Sequence, residues 1–380
     1  MKIAIAKESN INERRVALTP DAVAKLVKQG IEIEVEAGAG ERAYFDDGAY
    51  SEAGAKIVGD TGALWREADV VLKVGVLQDS EADQLGEGSI IIGFLNPLGN
   101  PDLIRRLADK KVTAFSMEMI PRISRAQVMD ALSSQANIGG YKAALIAATA
   151  LPKFFPMLTT AAGTIRPAKV LVMGAGVAGL QAIATCRRLG ATVEAFDIRP
   201  EVKEQVQSLG AKFVDVTLEE DTVAEGGYAK EISEASKQRT REVLSDRVAA
   251  SDAIITTAQV PGKKAPVLVT KEMLDRMKPG SLVVDLAAEQ GGNCEGSEAG
   301  KDIVYNGVTI IGPINLPSAM PIHASELYAK NISALLKLMV NKENQLELNF
   351  EDEVIAGACV AHSGEIRNQR VRDALAVAAG

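Results

Sequence analysis

The chain has 380 residues, 47% hydrophobic and 24% charged, with a formal net charge of −8. That length can bury the cores of roughly two or three domains, and that composition is the one expected of a globular protein. The acidic balance argues against a nucleic-acid partner, whose phosphates demand a basic face, and against direct adhesion to anionic lipid.

Residues 2–7 read as a strand and not as a basic stretch leading into an apolar one, so no signal peptide is expected there. Apolar runs at 3–6, 31–35, 70–74, 90–94 and 112–115 predict strands, with helices between them at 20–29, 46–53 and 101–110. Pro20 and Pro101 suit a first helical turn, and Gly30 suits a helix stop. Such alternation predicts a parallel sheet covered on both faces. The run Gly38-Ala-Gly40-Glu-Arg-Ala43 imitates a phosphate-binding turn. Glu41 would stand where phosphates belong and no apolar helix follows directly, so it reads as a structural turn. From 125 to 150 the pattern becomes helical and rich in alanine, crossing between domains. Its apolar part, 143–151, is bounded by Lys142, Pro152 and Lys153 and falls well short of the about 20 apolar residues of a membrane span. No span is expected.

A second series starts at Lys169, with strands at 170–173, 192–196, 212–214, 253–257, 281–285 and 308–311. The polar segment 219–242, containing Gly226-Gly227, is long for a plain connection and reads as a mobile loop with some helix. A last apolar helix at 324–340 returns to the first domain. The expected fold is α/β, with two Rossmann-like domains built on parallel sheets: a first domain of residues 1–137 plus 325–380, and a second of 138–324. Cys186, Cys294 and Cys359 form no C-x-x-C pair and read as free thiols of a cytoplasmic protein. His323 and His362 are the only histidines, so no metal site is expected. His323 is read as a capping or packing residue and His362 as exposed.

The strongest local motif is Val170-Leu-Val-Met-Gly174-Ala-Gly176-Val-Ala-Gly179, a buried strand running into G-x-G-x-x-G and then helical residues. Gly174 allows the tight turn, Gly176 lets a pyrophosphate approach the backbone, and Gly179 lets helix and strand pack closely. The helix N-terminus offers free N–H groups to the phosphates. Asp197, roughly twenty residues on, can bind the ribose hydroxyls and would repel a 2′-phosphate, which favours NAD over NADP. Arg199 could soften that choice, contact the pyrophosphate or pack on the adenine.

The runs Pro121-Arg-Ile-Ser-Arg-Ala-Gln127 and Val128-Met-Asp130-Ala-Leu-Ser133-Ser, together with GAGVAGLQAI from Gly174, RPEVKEQVQSL from Arg199, GGYAKE from Gly226, the stretch Thr256–Thr270 and DLAAEQGGNCE from Asp285, resemble the NAD(H)-binding component of proton-translocating transhydrogenases. The resemblance implies NAD(H) bound on this chain, NADP(H) bound on a partner component, a membrane subunit carrying the proton path, and a homodimer. It implies a cytoplasmic protein held at the inner face of the cell membrane through its partners. It also implies that Arg122 and Ser133 fix the carboxamide, that Gln127 reaches toward the incoming NADP, and that Asp130 steadies the Arg122 loop. These four form the candidate catalytic set. Arg122, Gln127 and Ser133 also join the cofactor-binding set of Gly174, Gly176, Val177, Gly179, Asp197, Ile198, Arg199, Gly227, Tyr228 and Gln259. Tyr228 matches a tyrosine of a closing loop. Gln259 and Lys264 depart from the family pattern, which has an apolar residue and a proline there. Without the resemblance, the Arg122 run would read as a charged helix start capped by Ser124.

Hydride transfer between two nicotinamides needs no acid, base or metal from the protein, which supplies position and electrostatics. No second dinucleotide motif is present, so the second nucleotide is expected on another polypeptide. Alanine dehydrogenase, of related sequence, is the main alternative, since Arg15 and Lys73 resemble its substrate-binding residues. Its acid/base histidine has no counterpart in Phe94-Leu-Asn-Pro-Leu-Gly99. Arg15 and Lys73 are then expected to pair with carboxylates. A non-catalytic NAD sensor is a second alternative, and it leaves the Arg122 run unexplained.

Overall fold

The computed structural model describes residues 1–216, 233–260 and 262–378. They divide into two units, one of Met1–Gln135 with Pro317–Gly380 and one of Ala136–Leu316.

The first unit opens with six strands: β1 (Lys2–Ile5), β2 (Glu32–Glu36), β3 (Lys56–Val58), β4 (Val70–Leu72), β5 (Ile90–Gly93) and β6 (Thr113–Ser116). All six run parallel, in the order β6-β5-β4-β1-β2-β3. Ile3, Ile5, Val70, Leu72, Ile90 and Ile92 pack into one core, while Ala4, Val71 and Ile91 pack into another. Burial on both faces explains why these strands read as unbroken apolar runs and not as alternating ones. β3 was not expected. It is a three-residue edge strand with no fully buried residue, too short to show a period. The Gly38–Ala43 run forms a turn and then a single 3-10 turn over Glu41–Ala43. A Cβ on Gly40 would meet the Phe45 carbonyl at 2.5 Å, so packing accounts for its small residue.

The helix Ala131–Ala150 carries the chain into the second unit. There β7 (Leu158–Thr160) and β8 (Gly163–Ile165) make an exposed hairpin that the sequence pattern did not reveal. The main sheet comprises β9 (Lys169–Met173), β10 (Thr192–Phe196), β11 (Lys212–Phe213), β12 (Ala253–Thr256), β13 (Leu282–Asp285), β14 (Asp302–Tyr305) and β15 (Val308–Ile311). Its order is β11-β10-β9-β12-β13-β15-β14. The chain winds outward from β9 in one direction and resumes on its other side at β12. This reversal is the switch point beyond whose carboxyl ends such sheets bind ligands.

The chain then returns to the first unit. Helix Pro321–Met339 places Tyr328, Ile332, Leu335 and Leu336 in the core that holds Ile3 and Ile5. Strand β16 (Cys359–His362) adds to β6, and β17 (Glu365–Ile366) adds to β16, both antiparallel. The expected parallel sheets are therefore mixed at their edges, since β14 is antiparallel to β15 as well. The cause is local. Asn306 and Gly307 have φ of 47° and 79°, and Ser363 and Gly364 have 51° and 85°, the left-handed pairs that close two-residue hairpins. β16 also draws His362 partly out of solvent, against Phe350 at 4.7 Å and hydrogen-bonded to Thr113. His323 lies exposed in the first turn of Pro321–Met339, whose N-cap position is Met320, and does not cap that helix.

Candidate functional site

In the second unit β9 ends at Met173 and the helix Val177–Arg188 begins after a three-residue turn. Gly174 has φ +98°, a conformation that L side chains rarely adopt, and Thr257 Oγ1 donates to its carbonyl at 2.9 Å. A Cβ on Gly179 would stand 1.8 Å from the Gly174 carbonyl oxygen, so only glycine lets the helix lie this close. Gly176, by contrast, faces open space, with nothing within 4 Å of a built Cβ. Open space beside the first N–H groups of a twelve-residue helix fits a pyrophosphate chemically. Val177 is 39% exposed at that helix start.

Asp197 follows β10 and is 8% exposed. Its Oδ2 accepts from the Ala175 N–H at 2.7 Å, which ties the carboxylate to the glycine turn. Arg199 donates to it from the backbone and from its guanidinium at 2.8–2.9 Å, forming an ion pair with Asp197. Ile198 packs against the core under β9. Gly227 and Tyr228 lie outside the described residues.

Gln259 is exposed and donates from Nε2 to the Leu286 carbonyl at 2.8 Å. The backbone beside it is shaped by Asn293, which is fully buried. Asn293 donates to the carbonyls of Ala258 and Pro266 and accepts from the Ala258 N–H, at 2.8, 2.8 and 3.0 Å. Asp285, also fully buried, accepts from Thr256 Oγ1 and from the N–H groups of Ala287, Asn293 and Cys294. The loops after β12 and β13 are thus set by two buried polar side chains bonded mainly to backbone.

In the first unit the Arg122 run is a loop followed by a 3-10 segment, Ser124–Met129, and the helix starts only at Ala131. Asp130, not Ser124, serves its N-terminus, accepting from Ser133 N–H at 2.9 Å and Ser133 Oγ at 2.5 Å. The structure therefore brings Asp130 and Ser133 together. Ala126 and Met129 are buried, Asn331 donates to the Val128 carbonyl, and Arg125 pairs bidentately with Asp352 at 2.8 Å. This anchoring leaves Arg122, Gln127 and Val128 exposed. The Arg125 guanidinium, with support from the N–H groups of Val354 and Ile355, holds the Asp352 carboxyl well below its ordinary 3.8, at about 2. A depressed acid contributes stability above its unfolded value and loses it as pH falls through its folded value. NMR titration is expected to show Asp352 with a midpoint of about 2 and a return toward 3.8 in Arg125→Gln. An unchanged midpoint in the variant would show that Arg125 does not anchor this loop.

The two cations flagged as possible substrate ligands are both engaged. Arg15 forms a two-pronged pair with Glu13 at 2.6 and 2.8 Å and donates to Gln135. Lys73, 1% exposed, sits 3.0 Å from both Glu8 and Glu81. Burial alone would lower the Lys73 pKa, but these carboxylates outweigh it and raise it. Asn96 lies beyond β5 with φ 48°, and its N–H donates to Glu118.

Residues 4–139 match the family described as Alanine dehydrogenase/PNT, N-terminal domain, and residues 143–369 match Alanine dehydrogenase/PNT, C-terminal domain. The first portion of the NAD(P) transhydrogenase subunit alpha of Rhodospirillum rubrum is 48% identical over 374 residues, covering 96% of this chain and 97% of its own length. The NAD(P) transhydrogenase subunit alpha of Haemophilus influenzae is 47% identical over 367 residues, covering 96% of this chain and 71% of its own. The crystal structure of transhydrogenase from Sinorhizobium meliloti superposes with a TM-score of 0.85 at 44% identity, over 97% of this chain and 99% of that one.

The chain belongs to the NAD(P) transhydrogenase alpha-subunit family.

Transhydrogenase alpha subunits are oxidoreductase components, and a nicotinamide nucleotide is the ligand that this family relation gives the chain. An L-alanine dehydrogenase structure also superposes, with a TM-score of 0.83 at 24% identity over 99% of both chains, which establishes a shared fold. No helix among the described residues is long and apolar enough to cross a membrane. Beside the residues expected from the transhydrogenase resemblance, the structure adds Thr257, Asp285 and Asn293 in the second unit and Arg125, Asn331 and Asp352 in the first. Of these, Asp285 and Asn293 lie in the DLAAEQGGNCE run and Arg125 in the Pro121–Gln127 run, where the sequence marks the segment but not the role of the residue. Their bonds to distant groups have no local signature.

Proposed function

We propose that this chain is the NAD(H)-binding component of a proton-translocating transhydrogenase, working as a homodimer at the inner face of the membrane through partner subunits. The partners would carry NADP(H) and the proton path. NADH, when bound here, would supply the hydride, and the NADP on the partner component would supply the acceptor ring. Gly174, Gly176 and Gly179 shape the turn for the pyrophosphate, and Asp197 selects the unphosphorylated ribose. Arg122 and Ser133 hold the carboxamide and so fix ring orientation, while exposed Gln127 faces the incoming NADP. Nearest-approach geometry matters because misplacement by about 1 Å costs about a hundredfold in rate.

The observation that carries this reading over amino-acid oxidation is Asn96. It lies in the Phe94–Gly99 stretch, which contains no histidine, and its amide does not titrate near neutral pH as an acid/base group must. The pairing of Arg15 with Glu13 and of Lys73 with Glu8 and Glu81 supports the same reading.

The test mixes the purified chain with NADH, the NADP-binding component and an NADP analogue of shifted absorbance. Rapid analogue reduction is expected with both proteins and none with either alone. Arg122→Ala is expected to slow transfer by about a hundredfold, with a much smaller change in NADH affinity. NADH formation from alanine and NAD by the chain alone would defeat the proposal.

A further inference from the structure

Resting on the reading that the second unit binds NAD(H), we infer that Arg199 is the specificity-determining residue of the ribose pocket, a latent phosphate ligand silenced by Asp197. Arg199 and Asp197 are bonded at three points. Asp197 Oδ1 accepts from the Arg199 backbone N–H and from Nε, both at 2.9 Å, and Oδ2 accepts from Nη2 at 2.8 Å. Side-chain exposures are 15% for Arg199 and 5% for Asp197. Oδ2 also accepts from Ala175 in the glycine turn, so the carboxylate cannot swing away without releasing that bond.

A guanidinium fork lying against a carboxylate is a geometry that a phosphate matches equally well. At this position the pair offsets the guanidinium charge that would welcome a 2′-phosphate, and the carboxylate adds repulsion. The next cation along the chain, Lys203, is itself paired with Asp215 at 2.7 and 2.9 Å. Preference for NAD(H) is therefore a property of the pair and not of Asp197 alone. With the carboxylate neutralised, Arg199 would turn the same pocket toward NADP(H). With Arg199 removed, the unneutralised carboxylate would reject the phosphate more strongly.

The experiment titrates the full chain with NADH and with NADPH, following nucleotide fluorescence, in the wild type, Arg199→Gln, Asp197→Asn and the double variant. Thermal melts verify that each is folded. Arg199→Gln is expected to weaken NADPH binding about tenfold more than it weakens NADH binding. Asp197→Asn is expected to bind NADPH about tenfold more tightly than the wild type, and the double variant to lose that gain. The two single variants test the inference independently, so either suffices should the other fail to fold. Equal changes for both nucleotides in Arg199→Gln, or an NADPH gain in Asp197→Asn that survives loss of Arg199, would overturn it. A wild-type chain that binds no NADH would instead overturn the underlying reading.

Discussion

Gly179→Ala is expected to abolish nucleotide binding by the second unit, lowering NADH affinity by at least about a hundredfold, the scale of losing several phosphate hydrogen bonds. The added methyl would stand 1.8 Å from the Gly174 carbonyl oxygen. That oxygen is held by Thr257 and belongs to a residue with positive φ, so it has little room to yield. The helix Val177–Arg188 must then lift from β9 and carry its free N–H groups away from the turn. Overpacking of this kind costs about 1–3 kcal/mol in a core, and more against rigid backbone. Gly176→Ala separates the two effects. A methyl there meets nothing within 4 Å, so the variant should melt like the wild type yet bind poorly, because the methyl takes the space into which a pyrophosphate would come. Calorimetric titration with NADH and a thermal melt of both variants decide the matter. Tight binding by Gly179→Ala would refute the account of the turn.

Lys73→Met is expected to destabilise the first unit by about 3–5 kcal/mol, the usual consequence of removing one partner from a buried ionic cluster. Glu8 and Glu81 would be left side by side with no cation between them, and Glu8 is 4% exposed. The pH dependence has a definite sign. The Lys73 pKa is raised above its ordinary 10.5, so its contribution is complete below that value and is lost only as pH rises through the folded value. In the variant the penalty comes from ionised carboxylates, and burial already pushes the Glu8 carboxyl upward. The stability gap between wild type and variant should therefore narrow as pH falls into the carboxylate range. Denaturant unfolding at several pH values measures it. A gap under about 1 kcal/mol, the size of an exposed pair, would mean that the cluster is not energetically coupled.

The parallel strands were legible because sheets buried on both faces leave unbroken apolar runs, as at residues 90–93 and 170–173. Strands β3, β7 and β8 carry no such run, being three residues each and partly or wholly exposed. The antiparallel edges were written in plain signals, Asn306-Gly307 and Ser363-Gly364, but neither was read as a hairpin. The glycine fingerprint was legible for a stereochemical reason: positive φ at Gly174 and contact at Gly179 admit no other residue. The Arg122 segment was opaque except through resemblance. Its shape depends on Asp352 and Asn331, which lie 227 and 203 positions from their partners. Arg199 was open for the opposite reason. A residue two positions from a carboxylate can turn several ways, and only the folded geometry selects one.

The first unit is assembled from two stretches of chain, Met1–Gln135 and Pro317–Gly380, with the whole second unit between them. During synthesis the amino-terminal portion therefore leaves the ribosome without helix Pro321–Met339 or β16, and with the apolar side groups that pack against Tyr328 and Leu335 still wet. The interior unit emerges complete before those pieces arrive. The usual vectorial rule, in which the domain begun first matures first, is inverted here. The nascent amino-terminal stretch therefore keeps part of its apolar surface in water while the middle of the polypeptide finishes folding.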